Sequence, residues 1–121
     1  MDPSRKNVLK DKSYAFALRI TNVYKYLSGY RKEFVLSKQL LRSGTSIGAN
    51  VAEANQAQSR ADFVSKLSIA LKESVETEYW LNLLKDAEYL TAKEAESLLQ
   101  DCVEIIKLLT AGLKTTRKAG G

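Results

Sequence analysis

The sequence predicts an all-α fold: one domain, residues 1–121, forming an antiparallel up-down-up-down four-helix bundle. Apolar residues recur at intervals of three and four along most of the chain, as they do on one face of a helix. The single proline is Pro3, so no later residue interrupts a helix for lack of an N–H group. The segments between the periodic stretches are short, and short connections make successive helices run antiparallel. No stretch alternates apolar and polar residues as a half-buried strand does.

Capping residues indicate where the first predicted helix ends and where the last two begin. The first is predicted from about Lys12 to Leu27, before Ser28-Gly29, because glycine suits a left-handed helix end. The second is predicted over about residues 33–57. The third should follow Ser59, whose hydroxyl can cap its first turn. The fourth should begin at the capping box Thr91-Ala92-Lys93-Glu94, in which each end residue bonds to the backbone N–H of the other.

The ordered core of the domain is expected over about residues 12–116, with basic termini that fray. Two glycines inside the second helix, Gly44 and Gly48, each cost about 1 kcal/mol relative to alanine. Their presence indicates close approach of a neighbouring helix, or a bend. A phosphate-binding loop is the alternative, but Gly44-Thr45-Ser46-Ile47-Gly48 is not followed by the lysine that such a loop needs.

The composition argues against catalysis. Histidine, the commonest general base and metal ligand, is absent. Cys102 is the only cysteine and lies on the apolar stripe of the fourth helix, which favours a core role over a nucleophilic one. We therefore predict a protein that is not an enzyme and uses no cofactor and no metal. A magnesium site built only from carboxylates is the remaining alternative.

The same composition predicts a cytoplasmic protein. A single cysteine cannot form an internal disulfide, and a reducing compartment suits such a chain. No segment approaches the roughly 20 apolar residues that cross a bilayer. The first twelve residues are polar and charged, unlike a signal peptide.

The third helix carries a second apolar line beside its core-facing stripe. Ile69, Trp80 and Leu83 lie on this line, about 100° around the helix from the first. Because a bundle helix normally has one apolar face, and because aromatic residues are enriched in protein interfaces, these three residues are predicted to form an oligomer interface. The alternative is that the helices of the same bundle cover the line.

A polar line accompanies these apolar faces and is predicted to form a buried network that fixes helix register. Arg42 is its expected centre, since a guanidinium can hold a carboxylate with two hydrogen bonds. The predicted members lie on the second and third helices, and they are Arg42, Ser46, Asn50, Glu53, Glu73 and Glu76.

Charge is distributed unevenly. Residues 1–42 hold ten Lys/Arg and three Asp/Glu, whereas residues 43–113 hold six and eleven. Tyr26 and Tyr30 lie among the basic residues of the first region, a mixture of rings and charge that suits nucleic acid. Solvated helix faces, or electrostatic contact between subunits, would explain the same asymmetry. The residues predicted to bind nucleic acid are Arg19, Lys25, Arg31, Lys32 and Lys38.

Two stretches carry a resemblance to a known bacterial family. Gln39–Glu53 reads Gln-Leu-Leu-Arg-Ser-Gly-Thr-Ser-Ile-Gly-Ala-Asn-Val-Ala-Glu, and Phe63–Leu84 includes Ala70-Leu71-Lys72-Glu73 and Glu76-Thr77-Glu78-Tyr79-Trp80-Leu81. Over roughly residues 12–116 the chain resembles the four-helix-bundle proteins encoded in intervening sequences of 23S ribosomal RNA genes, which are also called ribosomal-protein-like.

The resemblance implies an up-down bundle that assembles into a ring, expected to be a homopentamer. The chain is also similar to the accessory variability proteins of diversity-generating retroelements, which are basic pentameric barrels that bind nucleic acid and a reverse transcriptase. This chain is less basic than those proteins. Because its middle region is acidic, that surface is expected to repel a nucleic acid wrapped around it.

Two functions follow as hypotheses. The first is an oligomeric, non-catalytic module that contacts RNA or a nucleoprotein through its basic N-terminal half, with lysines of the C-terminal tail adding phosphate contacts. The second is a ring-forming scaffold for protein–protein interaction without nucleic-acid binding.

Overall fold

The computed structural model describes residues 3–120, and the side chains of residues 8–118, as four α-helices. They are α1 (Pro3–Gly29), α2 (Leu36–Ala54), α3 (Arg60–Asp86) and α4 (Ala92–Gly120). The pairs α1–α2, α2–α3, α3–α4 and α1–α4 pack together, and residues 3–120 contain no strand. The predicted all-α four-helix bundle is confirmed.

The predicted caps of the last two helices are also confirmed. Ser59 accepts a hydrogen bond from the backbone N–H of Asp62 at 3.0 Å. The Glu94 carboxylate accepts from the Thr91 N–H at 2.9 Å, and the Thr91 hydroxyl accepts from the Glu94 N–H at 3.1 Å. These bonds satisfy N–H groups that a helix leaves without a partner at its first turn.

Three predicted boundaries are wrong. Helix α1 begins at Pro3, before the predicted residue 12, because charged residues tolerate helix well and proline suits its first position. Helix α2 covers Leu36–Ala54, shorter than the predicted 33–57. The tail predicted to fray from about residue 115 continues α4 to Gly120, where Arg117 and Lys118 complement the negative end of the helix dipole.

Glu33 explains why α2 begins late. Its carboxylate accepts hydrogen bonds from the backbone N–H groups of Val35, Leu36 and Ser37 at 2.7–3.0 Å. Burial opposes ionisation of this carboxyl, but the bonds from Leu36, Ser37 and Val35 outweigh that effect and lower its pKa. Glu33 thus caps α2 from outside the helix and fixes the α1–α2 turn.

The core runs the length of the bundle, and each helix supplies buried aliphatic residues to it, among them Ile20, Leu40, Leu81 and Ile105. Gly44 lies where α1 crosses α2, and a Cβ atom added there would come within 2.8 Å of Ile20 Cγ2. Close approach of a neighbouring helix, one of the two causes considered for the glycines, is therefore confirmed at Gly44.

Cys102 is fully buried in this core, as its place on the apolar stripe predicted. Its thiol donates to the Ser74 carbonyl oxygen at 3.3 Å. Burial, with smaller contributions from Glu78 and Asp101, raises the pKa of this thiol to about 12. A thiol so rarely ionised is a poor nucleophile.

Candidate nucleic-acid interface

The α1–α2 corner carries three of the five basic residues predicted to bind nucleic acid. Lys25 lies in the last turns of α1, Lys32 in the connection and Lys38 in the first turn of α2, and all three are exposed. None forms an ion pair with a carboxylate of residues 8–118. Their charges therefore face solvent at one end of the bundle.

The other two predicted residues make contacts within the chain. Arg19 donates to Asp101 Oδ2 at 2.6 Å and to Ser97 Oγ at 2.9 Å, which joins α1 to α4. Arg31 donates to the Tyr89 carbonyl oxygen at 3.0 Å, and its guanidinium carbon lies 5.0 Å from the centre of the Tyr89 ring. Arg19 thus ties α1 to α4, and Arg31 ties the α1–α2 connection to the α3–α4 connection, structural roles that the charge count did not reveal.

Two tyrosines form an exposed stack beside these basic residues. The rings of Tyr26 and Tyr30 lie 5.6 Å apart, centre to centre, with an angle of 20° between their planes. The Tyr30 side chain is 77% exposed and that of Tyr26 is 37% exposed. Tyr30 directly follows α1, and its backbone N–H donates to the Tyr26 carbonyl oxygen at 2.9 Å, so the i, i+4 spacing places both rings on one face at the end of the helix.

A groove between α1 and the first turns of α4 begins at Tyr26. Its volume is about 570 Å³, and its apolar lining includes Val23, Leu90 and Leu98. A second groove of about 360 Å³ continues from it towards Arg31 and shares Tyr26 and Leu90. Asn22 and Ser97 add polar groups to the first groove.

Basic side chains outnumber acidic ones in the lining of these two grooves. Four are basic and two are acidic; they are Arg19, Arg31, Lys85, Lys93, Glu88 and Glu94. The hydrogen bonds from Thr91 lower the pKa of Glu94, whose carboxylate is thereby engaged in the helix cap.

The basic residues of the C-terminal tail do not join this surface. Lys114, Arg117 and Lys118 lie in the last turns of α4, which end beside the beginning of α1 because α1 and α4 are antiparallel. The α1–α2 corner lies at the opposite end of the bundle. The tail residues and the α1–α2 corner therefore lie at opposite ends of one chain, and the expected phosphate contacts of the tail lysines stay a prediction.

The predicted pairing of Arg42 with carboxylates of α3 is present, but the network is only partly buried and does not join all six predicted residues. Arg42 is half exposed and binds Glu73 at 3.0 Å and also Glu76, so it bridges two carboxylates on α3 instead of holding one with two bonds. Asn50 donates to Ser46 within α2, at 3.1 Å to the hydroxyl.

The sixth member of that network, Glu53, is exposed and lies 3.4 Å from Lys66 Nζ. The buried polar contact between α2 and α3 is a different one: Thr77 donates to Ser43 at 2.9 Å. Sequence spacing located the polar line but not its depth, because it does not reveal how far the helices are rotated about their axes.

Hydrogen bonds keep the Arg42 cluster charged. The indole N–H of Trp80 donates to Glu76 at 3.0 Å and, together with Arg42, lowers the pKa of that carboxyl against the effect of desolvation. The bond to Glu76, aided by Glu73, raises the pKa of Arg42. The cluster pairs α2 with α3 at the surface.

The three residues predicted to form an oligomer interface differ in exposure. Ile69 is 38% exposed, while Trp80 and Leu83 are half-buried, and Trp80 packs partly on the core of its own bundle. Val75 and Tyr79, which the prediction did not include, are 52% and 60% exposed on the same helix. Helix α1 also exposes Tyr14 and Leu18. The exposed apolar side chains therefore lie on α1 and α3, two helices that do not pack against each other, and on α3 they extend beyond the predicted line.

No group of three or more potential metal ligands occurs within the described residues. Across residues 3–120, none of the helices combines the length and the apolar character needed to span a membrane.

Comparison with models of known protein families shows to which family the chain belongs. The family model of the 23S rRNA-intervening sequence protein matches residues 5–111. The chain belongs to this family. The resemblance found in the two motif stretches is confirmed, while the similarity to retroelement accessory proteins stays a prediction.

A solved structure supports the same assignment. The chain is similar to a crystal structure of a protein of unknown function from the S23 ribosomal protein family of Bacteroides thetaiotaomicron, with 63% sequence identity and a TM-score of 0.88. The match covers 88% of this chain and 99% of that one. None of the curated proteins matches the sequence.

Proposed function

We propose that this family member is a non-catalytic, oligomeric binding module that contacts RNA, or a nucleoprotein through its RNA, at the α1–α2 corner. The observation that carries the proposal is the group of three exposed lysines, Lys25, Lys32 and Lys38, beside the exposed Tyr26–Tyr30 stack. Lysines without carboxylate partners can release counterions from phosphates, and this release drives non-specific binding.

The proposal includes no catalytic step. Histidine is absent from the sequence, and the one thiol has its pKa raised to about 12. The carboxylates with lowered pKa values are engaged in caps or in the Arg42 cluster, so they are poor proton acceptors near neutral pH.

A salt titration tests RNA binding. The affinity for a labelled structured RNA is measured by fluorescence anisotropy. The logarithm of the association constant should fall linearly with the logarithm of the salt concentration. Lys25→Ala/Lys32→Ala/Lys38→Ala should weaken binding and reduce the magnitude of the slope by about 2–3, because each of the three lost phosphate contacts removes roughly 0.7–0.9. The matched control removes three charges at the opposite end of the bundle, Lys114→Ala/Arg117→Ala/Lys118→Ala.

Equal losses in the two triple variants would refute the assignment to the α1–α2 corner. Absence of RNA binding by the unaltered protein at low salt would refute the RNA function. The module would then be a ring-forming protein scaffold, the second candidate, which the exposed apolar side chains on α1 and α3 favour independently.

We further propose that the module is a homo-oligomer, a pentamer by its resemblance, and that it is cytoplasmic. Ile69→Glu places a charge on the exposed part of the predicted interface and should reduce the mass measured by light scattering without loss of helix content. Val8→Glu is the control, because Val8 is similarly exposed, at 41%, near the start of α1. A monomeric wild-type protein would refute the oligomer.

A further inference from the structure

The rings of Tyr26 and Tyr30 are stacked nearly parallel, whereas Tyr79 and Trp80, the other aromatic pair among the described side chains, meet edge to face. Trp80 packs partly on the core, and Tyr89 lies beneath the guanidinium of Arg31. Tyr30 instead presents 77% of its surface to solvent and leans on the ring of Tyr26. Two nearly parallel exposed rings extend an aromatic surface outward from the end of α1.

The groove beside Tyr26 is open to solvent along much of its length, and its volume is large enough for one planar ring. Its volume of about 570 Å³ falls within the roughly 300–1,000 Å³ typical of small-ligand sites. Val23, Leu90 and Leu98 give it apolar walls, and the Asn22 amide and Ser97 hydroxyl supply groups able to bond the edge of a planar heterocycle. Tyr26 belongs to both the groove and the stack, so one ligand can occupy the two together.

The charge near this site fits a polyanion. Lys93 lies on the rim of the groove, Arg31 borders its continuation, and Lys25 lies next to Tyr26 in the sequence. Aromatic rings between cationic side chains are the pattern by which proteins bind single strands, because the rings stack on bases while the cations contact phosphates. A duplex keeps its base faces buried in its own stack and offers no such contact.

We propose that Tyr26 and Tyr30 are a stacking platform for the bases of single-stranded nucleic acid, and that the α1–α4 groove accepts one unstacked base next to Tyr26. This inference rests on the proposed RNA-binding function and specifies its ligand. The strand passes over the α1–α2 corner, where lysines contact its phosphates.

The test compares single-stranded and duplex probes by fluorescence anisotropy. The probes are a labelled oligouridylate, an oligothymidylate of equal length and a hairpin with the same number of phosphates. The wild-type protein should bind the single strands more tightly than the hairpin. A preference for oligouridylate over oligothymidylate identifies the ligand as RNA, and equal affinities identify single strands of either sugar.

The Tyr26→Ala/Tyr30→Ala variant should bind oligouridylate about tenfold more weakly, or weaker still, with an unchanged salt slope, since rings contribute stacking and not charge. Tyr26→Phe/Tyr30→Phe keeps the rings and should bind like the wild type. Tyr14→Ala is the matched control, because Tyr14 is 66% exposed on the same helix but away from the groove. Asn22→Trp fills the groove from an exposed position and should also weaken binding.

Wild-type affinity in the double alanine variant, or equal affinity for hairpin and single strand, would overturn the stacking platform. If the triple lysine variant still weakened binding in that case, the proposed RNA function would survive with a duplex ligand. If no probe bound at low salt, both the function and the platform would be refuted.

Discussion

Helix α1 packs against its two neighbours by different physical means. Against α2 it approaches closely: Gly44 leaves no room for a Cβ atom beside Ile20, and a Cβ at Gly48 would lie 3.3 Å from the Ser13 carbonyl oxygen. Against α4 its contacts are sparser and include long charged side chains, with Lys12 and Arg19 each 2.6 Å from a carboxylate of α4.

Both sides of α1 carry a surface groove, and the two grooves differ in their lining. The tight side, between α1 and α2, has a groove of about 530 Å³ lined mainly by small residues such as Gly48 and Ala52. The loose side, between α1 and α4, has a groove of about 570 Å³ whose lining includes Arg19 and Lys93 and, at one end, Tyr26 of the tyrosine stack. The α1–α4 groove is therefore distinguished by its basic side chains and by the stack, and not by its size.

The largest expected effect comes from filling the tight side. Gly44→Ala should destabilise the protein by about 2 kcal/mol: with the added Cβ only 2.8 Å from Ile20 Cγ2, overpacking should cost about 3 kcal/mol, and the better helix propensity of alanine should recover about 1 kcal/mol. The free energy of unfolding from urea denaturation measures it. Gly112→Ala is the control: its Cβ would lie 3.8 Å from Leu67, an ordinary contact, so it should stabilise by about 0.5–1 kcal/mol.

A stabilising Gly44→Ala would contradict close packing as the reason for this glycine. The double variant Ile20→Ala/Gly44→Ala sharpens the test, since it removes the two atoms, Ile20 Cγ2 and Cγ1, nearest to the added Cβ. The cost of Gly44→Ala should then largely vanish in the Ile20→Ala background.

The stabilisation that Glu33 provides at the turn between α1 and α2 should depend on pH. Glu33→Gln removes the charge that caps α2 and should cost about 1 kcal/mol at neutral pH. Because folding lowers the pKa of Glu33, its contribution is fully present above the ordinary value of 4.5 and is lost as pH falls through the lower folded value.

The difference in unfolding free energy between wild type and Glu33→Gln should therefore shrink as the solution is made more acidic than pH 4.5. Denaturation curves of both proteins at neutral and acidic pH give this difference directly. A difference that stayed constant with pH would mean that the charge of the carboxylate contributes nothing to the cap.

The tight side was open to prediction from sequence and the loose side was not. A glycine inside a helical pattern has few explanations, so the position of Gly44 in the sequence indicated either close approach of a helix or a bend, and the contact with Ile20 decides for close approach. An exposed arginine has many partners within reach, and nothing in the spacing showed that Arg19 bonds to Asp101 or that Arg31 lies over Tyr89. Those partners are distant in sequence and depend on how far α1 and α4 are rotated.

The same reasoning applies to the candidate nucleic-acid interface, where the lysines could be predicted from the sequence and the groove could not. Lys25, Lys32 and Lys38 were predictable as exposed charges, because lysine is rarely buried. The groove beside Tyr26 was not predictable, since its walls come from α1 and α4, at opposite ends of the chain. The spacing of apolar residues along the sequence indicates which side of each helix faces inward, but only the packed structure shows where two helices diverge.

The ion pairs of Arg42, on the surface between α2 and α3, test how much such pairs add to the free energy of unfolding compared with close packing. Arg42→Gln leaves Glu73 and Glu76 without their shared cation and should destabilise by about 0.5–1 kcal/mol, at the upper end for exposed pairs because one guanidinium bridges two carboxylates. Urea denaturation of Arg42→Gln and of Arg42→Gln/Glu73→Gln measures it. Recovery in the double variant would identify carboxylate repulsion as the cause, and equal losses would exclude it.

The smallest effect is expected at the loose side itself. Arg19 and Asp101 are 40% and 43% exposed, and exposed pairs contribute about 0.2–1 kcal/mol. Arg19→Gln with Asp101→Asn, analysed as a double-mutant cycle, should give a coupling of about 0.5 kcal/mol at low salt that falls towards zero at high salt, where charges are screened. The Gly44→Ala cost should not change with salt, because it is steric. A coupling that persisted at high salt would mean that the loose side, like the tight one, is fixed by packing, and that the groove between α1 and α4 is rigid before any ligand enters it.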